Sequence, residues 1–158
     1  MIKSKRQRFC DILFVGGEDM ILDKIHVPSD LKNLTKLELE NLAIEIREAI
    51  LNRVSNVGGH VGPNLGTVEL TIALHYVFNS PVDKIVFDVS HQCYTHKILT
   101  GRKNGFLDPN YFDEISGYTN PKESEHDFFK VGHTATSISL ACGLAKEKDL
   151  KKDKANII

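Results

Sequence analysis

A short run of β-branched and apolar residues, 84–89, breaks off directly into Ser90-His91-Gln92, and this junction constrains the chain more than any other stretch. Residues 84–89 have the length and composition of a buried strand. A second run, 127–131, ends the same way in Gly132-His133-Thr134, and a third starts at Ala155 and runs to Ile158. Between them lie stretches of helical periodicity. One spans residues 94–99 and stops at Gly101; another follows Thr136, placed as a cap, and carries Ile138, Leu140, Ala141, Leu144 and Ala145. The alternation predicts an α/β fold with a parallel sheet flanked by helices. In such sheets ligands sit beyond the carboxyl ends of the strands, where His91 and His133 fall.

The upstream half supplies scaffold and a loop. Ser29 and Asp30 can cap a short helical turn, and Thr35 with Glu38 has the spacing of a capping box. Leu39, Leu42, Ala43, Ile46 and Ile50 then recur at three and four residues, one apolar helix face. Residues 58–66 hold four glycines and a proline, which predicts irregular backbone able to approach a ligand closely. His60 lies in this loop. Thr67 is placed to cap a helix over 68–78, and residues 101–125 read as a long irregular segment of the kind that carries function.

His60, His91 and His133 each stand beside glycine or at a strand end. A single such histidine reads as a hydrogen-bonded structural residue; three in like positions point to function. Histidine suits proton transfer near neutral pH and can donate to a phosphate or an oxyanion. Spacings of 31 and 42 residues are not those of a zinc triad, so no metal ligands are assigned. Neither GxGxxG nor a Walker A pattern occurs.

Twenty Lys and Arg against 21 Asp and Glu leave a net charge of -1, without the basic field of a general nucleic-acid binder. No apolar run reaches the roughly 20 residues that span a membrane. Cys10, Cys93 and Cys142 form no CxxC pair and read as reduced thiols of a cytoplasmic protein. Cys93, among the loop histidines, fits a nucleophile or, better, a small residue beside a cofactor. In residues 1–19, Lys3, Lys5, Arg6 and Arg8 precede an apolar run broken by Asp11, with no cleavage site. We read that segment as an extension, with Met20 as an alternative start.

A set of segments occurs here in one order and spacing. They are Gly58-Gly59-His60, Leu65-Gly66-Thr67-Val68-Glu69-Leu70, Asp88-Val89 with His91-Gln92, His96-Lys97-Ile98-Leu99-Thr100-Gly101-Arg102, Glu123-Ser124-Glu125, and Val131-Gly132-His133 with Thr136-Ser137-Ile138-Ser139. Over residues 21–158 the chain resembles the N-terminal part of the 1-deoxy-D-xylulose-5-phosphate synthase family, thiamine-diphosphate enzymes related to transketolase. The resemblance implies a thiamine-diphosphate-binding α/β fold, here an incomplete domain at 21–158 after an extension at 1–20. It implies condensation of pyruvate with glyceraldehyde 3-phosphate with loss of carbon dioxide, feeding isoprenoid, thiamine and pyridoxal phosphate synthesis in a cytoplasmic homodimer.

By the same resemblance His91, Gly132, His133 and Thr134 contact thiamine diphosphate, and His60 lies near the reacting carbon; His60 and His91 are the catalytic candidates. The ligands for Mg2+ and the activating glutamate fall beyond residue 158, so the isolated chain is expected to be inactive. The chain departs from the family at Ser90, where glycine is usual, at Gly62-Pro63-Asn64, where Asn64 is expected to alter substrate contacts, and over 106–120. Two other readings stand beside this one. The first is the leading chain of a split transketolase, although transketolases usually show Ser-Gly-His-Pro-Gly where this chain has Gly58-Gly59-His60-Val61-Gly62. The second is a truncated, non-catalytic domain that binds a partner subunit.

Overall fold

Twenty-two residues, Lys36–Val57, form α1, on which the core is built. The structure is a computed structural model and describes residues 20–158; the extension expected at 1–19 lies outside the described residues. The capping box is present as expected: Thr35 Oγ1 accepts from Glu38 N–H, and the Glu38 carboxylate accepts from Thr35 N–H at 2.8 Å. The inward stripe of α1 is Leu42, Ala43, Ile46, Ala49 and Ile50, all buried. Each fully buried Leu or Ile contributes about 1.5–3 kcal/mol relative to an exposed one.

Around α1 pack two 3-10 turns, Ile21–Lys24 and Pro28–Asn33, and three α-helical pieces. These are the single turn α2, Gly62–Leu65; α3, Val68–Val77; and α4, Tyr94–Lys97, which opens into a wider turn, Ile98–Arg102. Leu22, Ile25, Leu31, Val68, Ile72, Tyr94, Ile98, Leu99 and Phe106 complete the core. Met20 already packs against it, and the Glu45 carboxylate of α1 accepts from Ile21 N–H and Leu22 N–H at 3.0 and 2.7 Å. Downstream lie α5, Asn104–Leu107, a 3-10 turn at Pro109–Glu114, and α6, Ser137–Lys151.

The structure differs from the sequence-based expectations in four places. Among the described residues the parallel sheet is reduced to one parallel bridge, Lys84 with Ile157. Lys84 N–H donates to Asn156 O, Ile158 N–H to Lys84 O, and Val86 N–H to Ile158 O, at 2.8 to 2.9 Å. The pairing direction is as expected and its extent is not. Residues 127–131 are not a strand; Phe129 O and Val131 O accept from the hydroxyls of Thr119 and Ser90 rather than from a ladder. Parallel sheets assemble from several crossover units side by side, and the described residues align two extended segments only.

Secondly, the glycine-rich stretch is not irregular throughout: Pro63, which needs no N–H partner in a first turn, starts α2. Thirdly, 101–125 is not a long loop, since α5 and the Pro109–Glu114 turn occupy much of it. Fourthly, neither Thr67 nor Thr136 caps a helix through its side chain. Thr67 Oγ1 instead donates to Pro63 O at 2.9 Å.

No residue of α6 is buried, and Ile138 and Leu150 on it are 74% and 73% exposed. No helix among the described residues is long and apolar enough to cross a membrane.

Candidate functional site

Asn64, in α2, is fully buried and joins the two histidine loops. Its amide nitrogen donates to His60 O at 2.7 Å and to His91 O at 2.8 Å. Its amide oxygen accepts from Tyr94 N–H at 2.8 Å, at the start of α4. All three directions of one rigid amide are therefore spent on the backbone that carries His60 and His91. Asn64 thus lies behind the site and holds it, and it bears on substrate contacts only through the His60 and His91 loops it positions. The imidazoles of His60 and His91 meet edge-on with ring centroids 5.3 Å apart, and Tyr118 meets His60 at the same distance. Burial, and then the neighbouring His91, pulls the His60 pKa down, which favours the neutral imidazole.

Glycine is required beside His60. Gly59 has φ 144°, and a Cβ there would meet the Tyr94 hydroxyl at 2.7 Å. That hydroxyl also accepts from His60 N–H at 3.3 Å, fixing the loop.

The other loop is held by two residues just before His91. Asp88 accepts from three successive backbone N–H groups: Ala135 through Oδ2, and Thr136 and Ser137 through Oδ1, at 3.0 to 3.1 Å. It does the capping expected of Thr136, and those N–H groups lower its pKa. It thereby ties the His91 segment to the loop of Gly132, His133 and Thr134. Ser90, at the position where glycine was expected, adopts φ 67° and is fully buried. Its hydroxyl donates to Val131 O at 3.0 Å and accepts from Thr119 N–H at 3.1 Å. The left-handed conformation is kept, and the serine hydroxyl adds two cross-links a glycine lacks.

Gly132 and His133 are exposed on the rim of a cleft of about 610 Å³, and Thr134, next in the chain, is exposed beside it. Tyr118, Val131 and Leu140 form its apolar wall, and Lys130, His133 and Thr136 its polar one. Tyr118 also packs on His60, and so links the wall of the cleft to the histidine pair. The structure thus brings His60 and His91 together ring to ring, with Tyr118 between His60 and the cleft that Gly132 and His133 line. This surface fits thiamine diphosphate, which has two flat heteroaromatic rings, an amine and an anionic diphosphate. It offers an apolar wall, a cationic lysine, and two buried imidazole nitrogens, Nδ1 of His60 and of His91, that have no hydrogen-bond partner. No group of three or more His, Cys, Asp or Glu among the described residues is placed to hold a metal ion.

Cys93 does not belong to this surface. It is fully buried in the core, and burial pushes its thiol up to about 12, which removes it as a nucleophile.

A second polar cluster, not foreseen from the sequence, lies behind α4. His75 on α3, His96 on α4 and Asp127 form a buried chain: His75 Nε2 meets His96 Nδ1 at 2.8 Å, and His96 Nε2 meets Asp127 Oδ1 at 2.9 Å. An ionised Asp127 can only accept, so His96 donates through Nε2 and accepts at Nδ1 from His75 Nε2–H. Burial would raise the Asp127 pKa, but hydrogen bonds from His96 and Arg102 override it and hold the carboxyl well below the usual range. Arg102 grips Asp127 through both nitrogens at 2.7 and 2.9 Å. Beside it the buried Lys97 donates to Glu123 at 2.5 Å, and Glu123 accepts from Ser116. Each buried charge here has a counter-charge, the form such groups need inside a protein. His96 and Arg102 fall in a segment that carried the resemblance, His96 to Arg102.

A family model described as 1-deoxy-D-xylulose-5-phosphate synthase matches residues 22–158. The chain is 57% identical over 139 residues to the protein of that name from Dictyoglomus thermophilum, covering 88% of this chain and 22% of that relative. It is 53% identical over 138 residues to the protein of the same name from Caldanaerobacter subterraneus subsp. tengcongensis, covering 87% and 22%. For Halalkalibacterium halodurans the identity is 50% over 139 residues, covering 88% and 22%. The chain spans about a fifth of the length of the curated relatives it matches.

Proposed function

This chain belongs to the 1-deoxy-D-xylulose-5-phosphate synthase family, and we propose that residues 21–158 are the N-terminal, cofactor-contacting part of such a synthase. The complete polypeptide condenses pyruvate with glyceraldehyde 3-phosphate and releases carbon dioxide, as a cytoplasmic homodimer. Further strands outside this stretch complete the parallel sheet, and ligands outside it hold Mg2+. Two buried imidazole nitrogens without partners, Nδ1 of His60 and of His91, carry this reading. Groups that polar and that enclosed are normally satisfied, and a ligand satisfies them here.

Bound thiamine diphosphate supplies the electron sink that a 2-oxo acid needs to lose carbon dioxide. The chain's own residues do the rest. His91 and the loop of Gly132, His133 and Thr134 bind the cofactor, with Asp88 joining the two. His60, kept neutral by its surroundings, takes or gives a proton at Nδ1 near the reacting carbon. Asn64 sets the distance between the two histidines. Tyr118, Val131 and Leu140 exclude water from one wall.

In the complete enzyme, His60→Ala is expected to lower turnover by roughly 10²–10⁴-fold with a smaller effect on cofactor affinity. His91→Ala is expected to act mainly on cofactor affinity. Steady-state kinetics with titration calorimetry separate the two, and small, equal effects of both substitutions would return the histidines to structural roles.

A further inference from the structure

Three cationic side chains are buried on the far side of α1 and α4, and two of them have carboxylate partners: Lys97 with Glu123, and Arg102 with Asp127. Arg53, in the penultimate turn of α1, is only 6% exposed and makes no ion pair among the described residues. Its Nη2 donates to the carbonyls of Phe112 and Ile115 at 2.9 and 2.8 Å. Its guanidinium lies 5.4 Å from the Phe106 ring centre and 5.7 Å from that of Tyr94. Its Nε is buried without any partner. Carbonyls and ring faces offset part of the burial cost of this charge but supply no negative charge.

Arg53 lines a second cavity, of about 280 Å³, whose other walls include Gly58, Gly59, His60, Tyr94 and Gly117. Its inner wall carries the Arg53 guanidinium, the Tyr94 hydroxyl and His60. The Tyr94 hydroxyl accepts from His60 N–H and keeps its own proton to give. His60 turns towards it a ring whose Nδ1 is unpartnered. The one carboxylate, Asp113, belongs to an exposed residue. A recess lined by a buried cation and a hydroxyl donor suits an anion.

We propose that this cavity is an anion subsite: it takes the carboxylate or phosphate group of a small substrate, with Arg53 as counter-charge and the Tyr94 hydroxyl as donor, and so delivers that substrate to His60. The subsite rests on the proposed function only in naming the substrates; the donor set stands without it. A 2-oxo acid brings a carboxylate and a triose phosphate brings a phosphate, and the two are told apart by separate titrations.

The test uses the 158-residue chain at low ionic strength without thiamine diphosphate, so its failure is separate from failure of the cofactor reading. Inorganic phosphate and pyruvate are titrated separately, followed by calorimetry and by the ring-proton NMR signals of His60 and His133. Saturable binding that moves His60 and not His133 is expected for at least one probe, and the probe that binds names the substrate. Arg53→Gln is expected to weaken it tenfold or more, the scale of a lost charge-assisted hydrogen bond. Arg53→Lys, which keeps the charge, is expected to retain part of the affinity. Asp113→Asn, a surface change that leaves the fold alone, is expected to tighten binding about two- to fivefold by removing a like charge at the mouth. Absence of saturation by either probe overturns the proposal, as does binding that moves His133 alone or is indifferent to Asp113→Asn.

Discussion

Removing the Asn64 side chain should cost the chain more than any other single polar substitution near the site. Asn64→Ala deprives Tyr94 N–H of its acceptor and the carbonyls of His60 and His91 of a donor. Tyr94 is 1% exposed, so its N–H finds no water, a loss of about 1–3 kcal/mol. His60 and His91 are half-buried, so each carbonyl recovers water and loses only a net bond, about 0.5–1.5 kcal/mol. The expected total is about 2–6 kcal/mol, or roughly 6–18 °C in the melting temperature at about 3 °C per kcal/mol for a chain this size. Asn64→Asp is a sharper perturbation with almost no change in shape. The carboxylate still accepts from Tyr94 N–H but faces two carbonyl oxygens, so at pH 7 it should be at least as damaging as alanine. Its gap to the wild type should narrow on acidification, when the protonated carboxyl regains one donor. Urea and thermal unfolding measure both, and the His60 and His91 ring signals report whether the pair moves apart. A loss below about 1 kcal/mol in both variants, with unmoved ring signals, would refute the role given to Asn64.

Two further outcomes follow from the buried groups. Burial holds His75 to about 3, against 6.5 for a free side chain, and burial also lowers His96, His126 and His60. A histidine with a depressed folded pKa stabilises the fold fully above about 6.5 and loses that contribution as pH falls, by about 1.4 kcal/mol per pH unit for each proton the unfolded chain gains. The melting temperature should therefore drop steeply between pH 6.5 and 5 and less so in His75→Gln; a flat profile over that window would contradict the neutral relay. Ser90→Gly relieves a left-handed residue by about 1 kcal/mol but removes two hydrogen bonds, so a net loss of roughly 1–2 kcal/mol is expected by urea unfolding, and a gain would show that the hydroxyl contributes nothing.

What was legible in the sequence was local. Thr35 and Glu38 are three residues apart, and their reciprocal bonds need nothing else in the chain. The stripe from Leu42 to Ile50 announces one buried helix face for the same reason. His60, His91 and His133 stood out because glycine and strand-like ends mark loops; the structure puts His60 and His91 ring to ring, and His133 on a cleft whose Tyr118 wall also packs on His60. What was missed depends on distant partners. Asp88 caps a helix 48 residues later, which no spacing rule covers. His75 and Asp127 reach His96 from 21 and 31 residues away on separate elements, so no motif links them. Asn64 was noted only as a departure from the family pattern, whereas the turn begun by Pro63 turns it inward to tie the two histidine loops together. The sheet was read from strand-like composition, and a strand forms only where a neighbour offers its backbone.

The most direct test of the cofactor reading is a titration of the 158-residue chain with thiamine diphosphate, up to about 10 mM to cover millimolar binding, followed by the ring-proton NMR signals of all the described histidines. Saturable shifts at His60, His91 and His133 are expected, with His75 and His96 in the buried relay unmoved. Silence at the first three, or shifts that instead track His75 and His96, would contradict the assignment of this surface to thiamine diphosphate.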